Sequence, residues 1–375
     1  MLLSTELPRA QWVSCETGYA GGRCGRGAVA FLFMTDAEVV SAAHDATDAS
    51  PRRPWHRSRP LRFLSWAGTA GVVVYTLVRL FGLETGWLLS TTVAFVPYFV
   101  IAALVGAGLQ AALRHWLAAA VTGVAVLALA AVLVPRVLAD EQPAAAGTAI
   151  TVMSVNLYVG QTDLAKVVAL VEEHRPDLLS VQELTPGAAE GLAELGLEDL
   201  LPHTVLEPDE LAVGTGLYSA HPLVRLESVG RNGIFHQIGA EVDLGADRVR
   251  IMAVHTAAPV SPDRMPLWEA DFAALPLPDG GIPWILAGDF NATLDHDNMR
   301  DLLAAGYVDA AEATGKGLQA TWRPTEGGRL WGLLRPPAIA LDHVIAEEGI
   351  AVLDWQVLDK SGSDHAPVLA HLRLP

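Results

Sequence analysis

Hydrophobic and polar positions follow two different patterns along this chain, and the change comes near residue 140. Three long apolar segments come first, at 63–83, 87–110 and 116–138, each close to the ~20 residues that cross a hydrocarbon core. The first two are separated by a turn as short as LETG, so three transmembrane helices are predicted over 63–138. Trp66, Trp87, Tyr98 and Trp116 lie mostly near segment ends, where amphipathic rings suit a membrane interface. Arg79 and Arg136 also sit near ends, and their long side chains are expected to snorkel toward headgroups. After 139–147, which reads as a linker, short apolar runs alternate with amphipathic stretches. Strands are predicted at 150–158, 177–183, 213–220, 249–257, 283–291, 338–347 and 363–374. A helix capped by Thr162 and stopped by Pro176 joins the first two. Residues 148–375 are therefore expected to form a mixed-sheet α/β domain, with no internal repeat visible.

Basic residues orient the spans. Arg52, Arg53, Arg57, Arg59 and Arg62 precede the first, Arg114 separates the second from the third, and none lies around Glu84. The positive-inside rule then puts the N-terminus in the cytoplasm and the large domain outside. Residues 1–62 read as a disordered cytosolic tail, and the composition of 1–33 gives the expectation that translation starts at Met34.

Charge sharpens the division. Mean hydropathy is +0.32 with 51% hydrophobic residues, yet the net charge is −17. Up to residue 140 there are 11 basic and 8 acidic residues, and beyond it 14 and 34, so the globular part carries −20. The only cysteines are Cys15 and Cys24. A disordered chain, a disulfide scaffold and a simple basic nucleic-acid binder are excluded.

Polar residues collect where the apolar runs end: Asn156, Glu183, His255, Asp289 with Asn291, Asp342, and Asp364 with His365. Strand ends are where α/β sheets aim side chains into one crevice. Oxygens of Asn, Asp and Glu suit a hard cation such as Mg2+, and the histidines suit proton transfer or water activation. Taken singly, Asn156 and Glu183 read equally well as turn and loop residues. GDFN (288–291) is more specific, because residues two apart at a strand end point to the same side. SDHAPV (363–368) is more specific still. Arg231 and His236, in GRNGIFHQ, are candidate substrate contacts, though a solvated loop explains them equally.

Six segments in order, MSVNLY, SVQEL, MAVHTAAP, LAGDFNAT, ALDHVIA and SGSDHAPV, resemble the endonuclease/exonuclease/phosphatase superfamily with its DNase I-like fold. The resemblance implies a four-layer sandwich, two mixed β-sheets face to face with helices outside. It implies Mg2+, with Mn2+ as the alternative, held by Glu183, Asn156 and Asp364. Asp289 and Asn291 would orient the attacking water and hold the phosphate, and His365, oriented by Asp342, would contact the scissile phosphate. His255 would bind phosphate or protonate the leaving group, while Asn156 and Asn291 also reach the phosphate. The three spans followed by such a domain are similar to the VanJ-type membrane proteins of actinobacteria, linked to teicoplanin-class glycopeptide resistance. The expected partners are a lipid bilayer and a lipid-linked phosphate or pyrophosphate such as undecaprenyl pyrophosphate, with no obligate protein partner. A charge of −20 without a basic cluster argues against nucleic acid. The alternatives are a tethered extracellular DNase and a non-catalytic lipid-phosphate sensor.

Overall fold

The computed structural model describes residues 58–227, 235–324 and 336–375. They belong to one compact unit, His56–Pro375. The tail expected over 1–62 lies outside the described residues up to residue 57, as do the Met34 start and Arg231. Its last residues are helical, since α1 (Arg59–Phe81) begins with Pro60 in its first turn, where the missing N–H costs nothing. Gly82 closes α1 in the left-handed conformation (φ 61°), the usual role of glycine after a helix.

The second apolar segment is not one rod. It forms α2 (Trp87–Val93) and α3 (Val96–Ala112), which meet at a bend of 78°. Pro97 explains the break, because proline offers no N–H to the preceding turn and disfavours helix at the residue before it. α4 (Trp116–Leu133) follows, then a single 3-10 turn at Pro135–Val137. Among the described residues two helices, α1 and α4, are long and apolar enough to cross a membrane, and a third crossing exists if α2 and α3 are one bent span. Polarity in this group is inverted relative to a water-soluble bundle. Ile101, Leu104, Leu109, Leu117, Val124 and Leu127 are exposed, whereas Ser65, Thr69, Gln110 and Thr122 are buried. The buried polar groups bond across helices: Thr69 to Thr122 at 3.0 Å, and the Gln110 amide to Thr69 Oγ1 at 3.0 Å. Apolar residues outside and hydrogen-bonding polar residues inside is the arrangement that hydrocarbon favours.

Residues 139–147 do not behave as a free linker. Ala139 bridges to Thr314, Asp140 N–H donates to the Ala313 carbonyl, and Gln142 Oε1 accepts from Val352 N–H at 2.7 Å.

Among the described residues, twelve strands then form two six-stranded sheets. The first contains β1 (Ala149–Asn156), β2 (Leu178–Gln182), β3 (His203–Glu207), β4 (Thr215–Ser219), β11 (Ala351–Val357) and β12 (Val368–Arg373), in the order β11-β12-β1-β2-β4-β3. The second contains β5 (Leu223–Arg225), β6 (Ile238–Asp243), β7 (Arg248–His255), β8 (Trp284–Asp289), β9 (Tyr307–Asp309) and β10 (Asp342–Glu347), in the order β5-β6-β7-β8-β10-β9. Each sheet is built round one parallel pair, β1–β2 or β7–β8, with antiparallel strands on both flanks. The inner faces share an apolar core that includes Val152, Leu178, Ile251, Ile285, Val344 and Leu372, and Ser180 Oγ donates across it to the Ala287 carbonyl at 2.8 Å.

The outer faces are covered by helices. α5 (Leu164–His174), α6 (Pro186–Glu194) and α7 (Leu197–Leu200) cover the first sheet over Met153, Leu179 and Tyr218. α8 (Met265–Ala273) and α9 (Asp297–Ala304) cover the second over Met252, Leu286 and Phe290, and the short α10 (Ala310–Ala313) adds Ala310 to the core between the sheets. This is the four-layer sandwich expected above. The cap of α5 is Asp163, not Thr162, because the Asp163 carboxylate accepts from Lys166 N–H.

Candidate active site

The parallel pairs end at the same edge, and β10 and the approach to β12 begin there, so topology brings residues of six elements together. Asn156 ends β1, Glu183 follows β2, His255 ends β7 and Asp289 ends β8. Asp342 opens β10 directly opposite Asp289, and His255 lies beside Asp289 in the parallel register. Close backbone approach makes this possible. A Cβ at Gly288 would stand 1.9 Å from the Val254 carbonyl oxygen, so only glycine fits before Asp289. Glu183 (φ 57°) and Asn291 (φ 45°) hold left-handed conformations rare for residues with side chains. Such strain persists where the surrounding structure over-determines it.

The side chains form a connected polar network. Asn156 Nδ2 donates to Glu183 Oε1 and to Asp289 Oδ2, each at 3.1 Å, while its Oδ1 accepts from Tyr158 N–H. The amide therefore bridges two carboxylates from different sheets. Val159 N–H donates to the other Glu183 oxygen at 2.6 Å. Asn291 N–H donates to Asp289 Oδ1 at 2.9 Å, and its side-chain amide donates to the Thr256 carbonyl. His365 Nδ1 contacts both Asp342 oxygens at 2.9 and 3.0 Å and presents Nε2 3.5 Å from Asp289 Oδ2. His255 Nε2 stands 3.9 Å from that same oxygen and 4.0 Å from Glu183 Oε1, with Phe235 against its ring at 4.3 Å.

Electrostatics divides the two histidines. Burial, reinforced by the charge of His365, lowers His255 to about 3, so it is a neutral donor. Burial also opposes charge on His365, but the carboxylates of Asp342 and Asp289 outweigh it and keep it an imidazolium. Burial raises both Glu183 and Asp289, with Asp364 and Asp342 as like-charged neighbours of the first and second.

Carboxylates crowded and pushed toward protonation are the setting in which a cation is welcome. Ligand atoms of Asp289, Asp342 and His365 lie within 4.8 Å of one another, enough to hold a metal ion. In that group Asp342 is committed already, accepting from His365 and from Thr321 Oγ1 at 2.6 Å. Among the described residues one buried Asp364 oxygen has no hydrogen-bond partner, and the other accepts from Trp322 Nε1 at 3.1 Å. Asp289 and Asp342 of that group, with Glu183 and the Asp364 oxygen as further carboxylates at the same edge, are donors of the chemistry a hard cation takes.

Residues 153–365 match the Endonuclease/Exonuclease/phosphatase family. The chain belongs to that family. Its enzymes are metal-dependent phosphoesterases and nucleases, so this chain is a metal-dependent hydrolase of phosphate ester or anhydride bonds. Among solved structures, it is similar to an endonuclease/exonuclease/phosphatase from Beutenbergia cavernae, at 22% identity over 60% of this chain and 72% of the other, with a TM-score of 0.44. A family protein from Bacteroides thetaiotaomicron gives 18% identity, 61% and 99% coverage and a TM-score of 0.44. TDP2 from D. rerio, complexed with a single-strand DNA product, gives 16%, 60% and 99%, and 0.49. A comparison with curated proteins returned no match. The family assignment rests on the matched residues alone.

The eight polar residues expected at strand ends all meet at this edge. His236 does not join them; it lies among Glu207 and Asp209 at 3.7 Å. Sequence reasoning missed Thr321 and Trp322, which hold Asp342 and Asp364, and the place of Ser363. Ser363 Oγ donates to the Asn156 carbonyl and accepts from His365 N–H. Thr321 and Trp322 lie in no periodic run and carried no signal of their role.

The two arginines expected to reach headgroups instead point into the catalytic domain and are buried. Arg79 Nε donates to Asp295 Oδ1 at 2.6 Å, and Arg136 grips the same carboxylate through Nη1 and Nη2 at 2.7 and 2.9 Å. A guanidinium finds a carboxylate partner more rewarding than the interface.

Proposed function

We propose that this enzyme is anchored in a membrane by its N-terminal helices and cleaves a phosphate ester or pyrophosphate carried by a membrane lipid, undecaprenyl pyrophosphate being the leading candidate. One observation carries the reading: the loops that bear the site are those seated on the apolar helices. Thr91 Oγ1 donates to the Pro259 carbonyl in the loop after His255. The Ser90 carbonyl meets His296 Nε2 at 3.0 Å in the loop after Asp289, and Tyr98 donates to the Ala338 carbonyl before Asp342. The chemistry therefore sits at the edge nearest the helices. A substrate confined to the same bilayer gains effective concentration there. The −20 charge of the globular part works against binding a polyanionic duplex. Sidedness follows the arginine distribution, with the catalytic domain outside.

In this reading Glu183 and Asp364, with Asn156 and Asp289 beside them, would hold Mg2+ or Mn2+, which when bound offsets charge on the phosphoryl oxygens. The chain's own residues do the rest. Asp289, buried and pushed up, orients a water for in-line attack and accepts its proton, with Asn291 fixing the carboxylate. His365, kept cationic by Asp342, donates from Nε2 to a phosphoryl oxygen. Neutral His255 donates to the phosphate or the leaving oxygen.

The test uses the whole chain in micelles with Mg2+, measuring phosphate release from undecaprenyl pyrophosphate and nicking of supercoiled plasmid, wild type beside His365→Ala. Lipid turnover lost in the variant, without nicking, is the expected result. Nicking without lipid turnover makes this a tethered nuclease. Binding of the lipid without turnover of either makes it a sensor. A role in glycopeptide resistance follows from that substrate, and is read as altered teicoplanin sensitivity when the gene is deleted.

A further inference from the structure

The structure joins its apolar helices to the catalytic loop through one carboxylate. Asp295 lies six residues after Asp289 and is 1% exposed. Arg79, from the end of α1, and Arg136, just beyond α4, converge on it from two helices distant in sequence. Arg136 Nη2 also donates to the Leu294 carbonyl at 3.0 Å. The next residues are held from the same side: His296 by the Ser90 carbonyl, and Asp297 N–H by Glu84 Oε1. Both arginines are themselves buried, at 4% and 3% exposed.

Two buried guanidiniums on one buried carboxylate form a costly arrangement that apolar residues would replace without loss of stability in many proteins. What a fork-shaped pair supplies is geometry. The geometry here bears on catalysis because the intervening loop has little slack. Asn291 is held left-handed with its amide on the Thr256 carbonyl, Ala292 and Leu294 are buried, and the Ala292 carbonyl accepts from His343 Nε2 at 3.0 Å. A shift at Asp295 is passed to Asn291 and so to the Asp289 carboxylate it orients.

We propose that Asp295 is a positioning residue through which the membrane-helix module sets the catalytic loop, so that turnover depends on Arg79 and Arg136 although neither reaches the substrate. The inference rests on metal-dependent phosphoester cleavage and not on the lipid reading.

The test therefore uses a soluble chromogenic phosphodiester and the full chain in micelles. Asp295→Asn and Arg136→Lys are compared with wild type for kcat, KM and half-saturating Mg2+, alongside Mg2+ binding by calorimetry and thermal unfolding. A displacement of about 1 Å can cost ~100-fold in rate, so kcat is expected to fall ~10–100-fold in Asp295→Asn and less in Arg136→Lys. KM should stay within about twofold of wild type and Mg2+ binding should weaken far less than kcat falls, because Asp289 alone of the cation's carboxylates lies on this loop while Glu183 and Asp364 belong to the other sheet. Arg79→Lys keeps the Arg136 fork and serves if the stronger variants do not fold. Folded variants with wild-type kcat overturn the proposal. So does a fall in kcat that merely tracks loss of folded protein and of Mg2+ binding together. Absence of wild-type turnover sinks the phosphoesterase reading itself, and the positioning role with it.

Discussion

At the scale of single residues, the two histidines answer burial in opposite ways because only one has a carboxylate in hydrogen-bond contact. His365→Ala removes a charged donor to the phosphate and is expected to lower kcat by ~100–1,000-fold. Steady-state kinetics with folding checked by circular dichroism reads this. The pH dependence of stability without metal has a definite sign. Asp289 is raised to about 7 by burial, so its contribution declines as pH rises from ~4 through that value. His365 is raised to about 10 by Asp342 and Asp289 against burial, so its contribution is complete below ~6.5 and is lost as pH climbs through 10. Both limbs fall in the same direction. Buried His255 and His296, lowered to about 3 and about 4, work the other way only up to ~6.5. Melting in chelator should therefore decline from pH 7 to 10, Asp342→Asn should flatten the alkaline limb, and Mg2+ should restore more at pH 8 than at pH 5. A melting temperature that rises between pH 7 and 10 in chelator contradicts the assignment.

At the scale of elements, legibility followed burial. The strands foreseen from sequence include β1, β2, β4 and β8, which are buried almost throughout and carry no charged residue before their last position. β3 and β5 are half-exposed edge pieces, and β11 carries a register shift between Val352 and Asp354, so none shows a clean period. The α2–α3 bend was hidden because apolar content counts residues and does not register where Pro97 interrupts the hydrogen-bond ladder. Two element-scale outcomes are expected. Gly288→Ala should prevent normal folding, since its Cβ collides with the Val254 carbonyl of the neighbouring strand, and soluble-yield and protease-resistance assays read it. Thr185→Ala, which removes the cap accepting from Ala188 N–H, should cost about 1 kcal/mol by denaturant titration.

For the whole molecule, the helical module and the catalytic domain share buried ion pairs, an apolar contact of Ala94 with Ile339 and Leu341, and a strapped 139–147 segment. Residues 148–375 alone would leave Asp295 without Arg79 and Arg136. Removing one side of a buried pair costs about 3–5 kcal/mol. The isolated segment is expected to melt lower than the intact chain and to aggregate, as light scattering during a thermal ramp would show. An isolated segment as stable as the whole chain would mean that the two parts are energetically independent.

The sequence by itself determined the change of character near residue 140, the apolar helices, the central strands and the eight polar residues that the fold gathers at one edge. All of these are local: composition, period and short motifs survive in one dimension because each follows from the burial of a contiguous stretch. Only the tertiary structure decided which of those polar groups touch. The Asn156 bridge between two sheets, the support of Asp342 by Thr321 and the burial of Arg79 and Arg136 on Asp295 join residues up to 216 positions apart. An arginine near the end of an apolar helix looks the same whether it meets headgroups or a buried carboxylate. The choice is made by what the folded chain places opposite it.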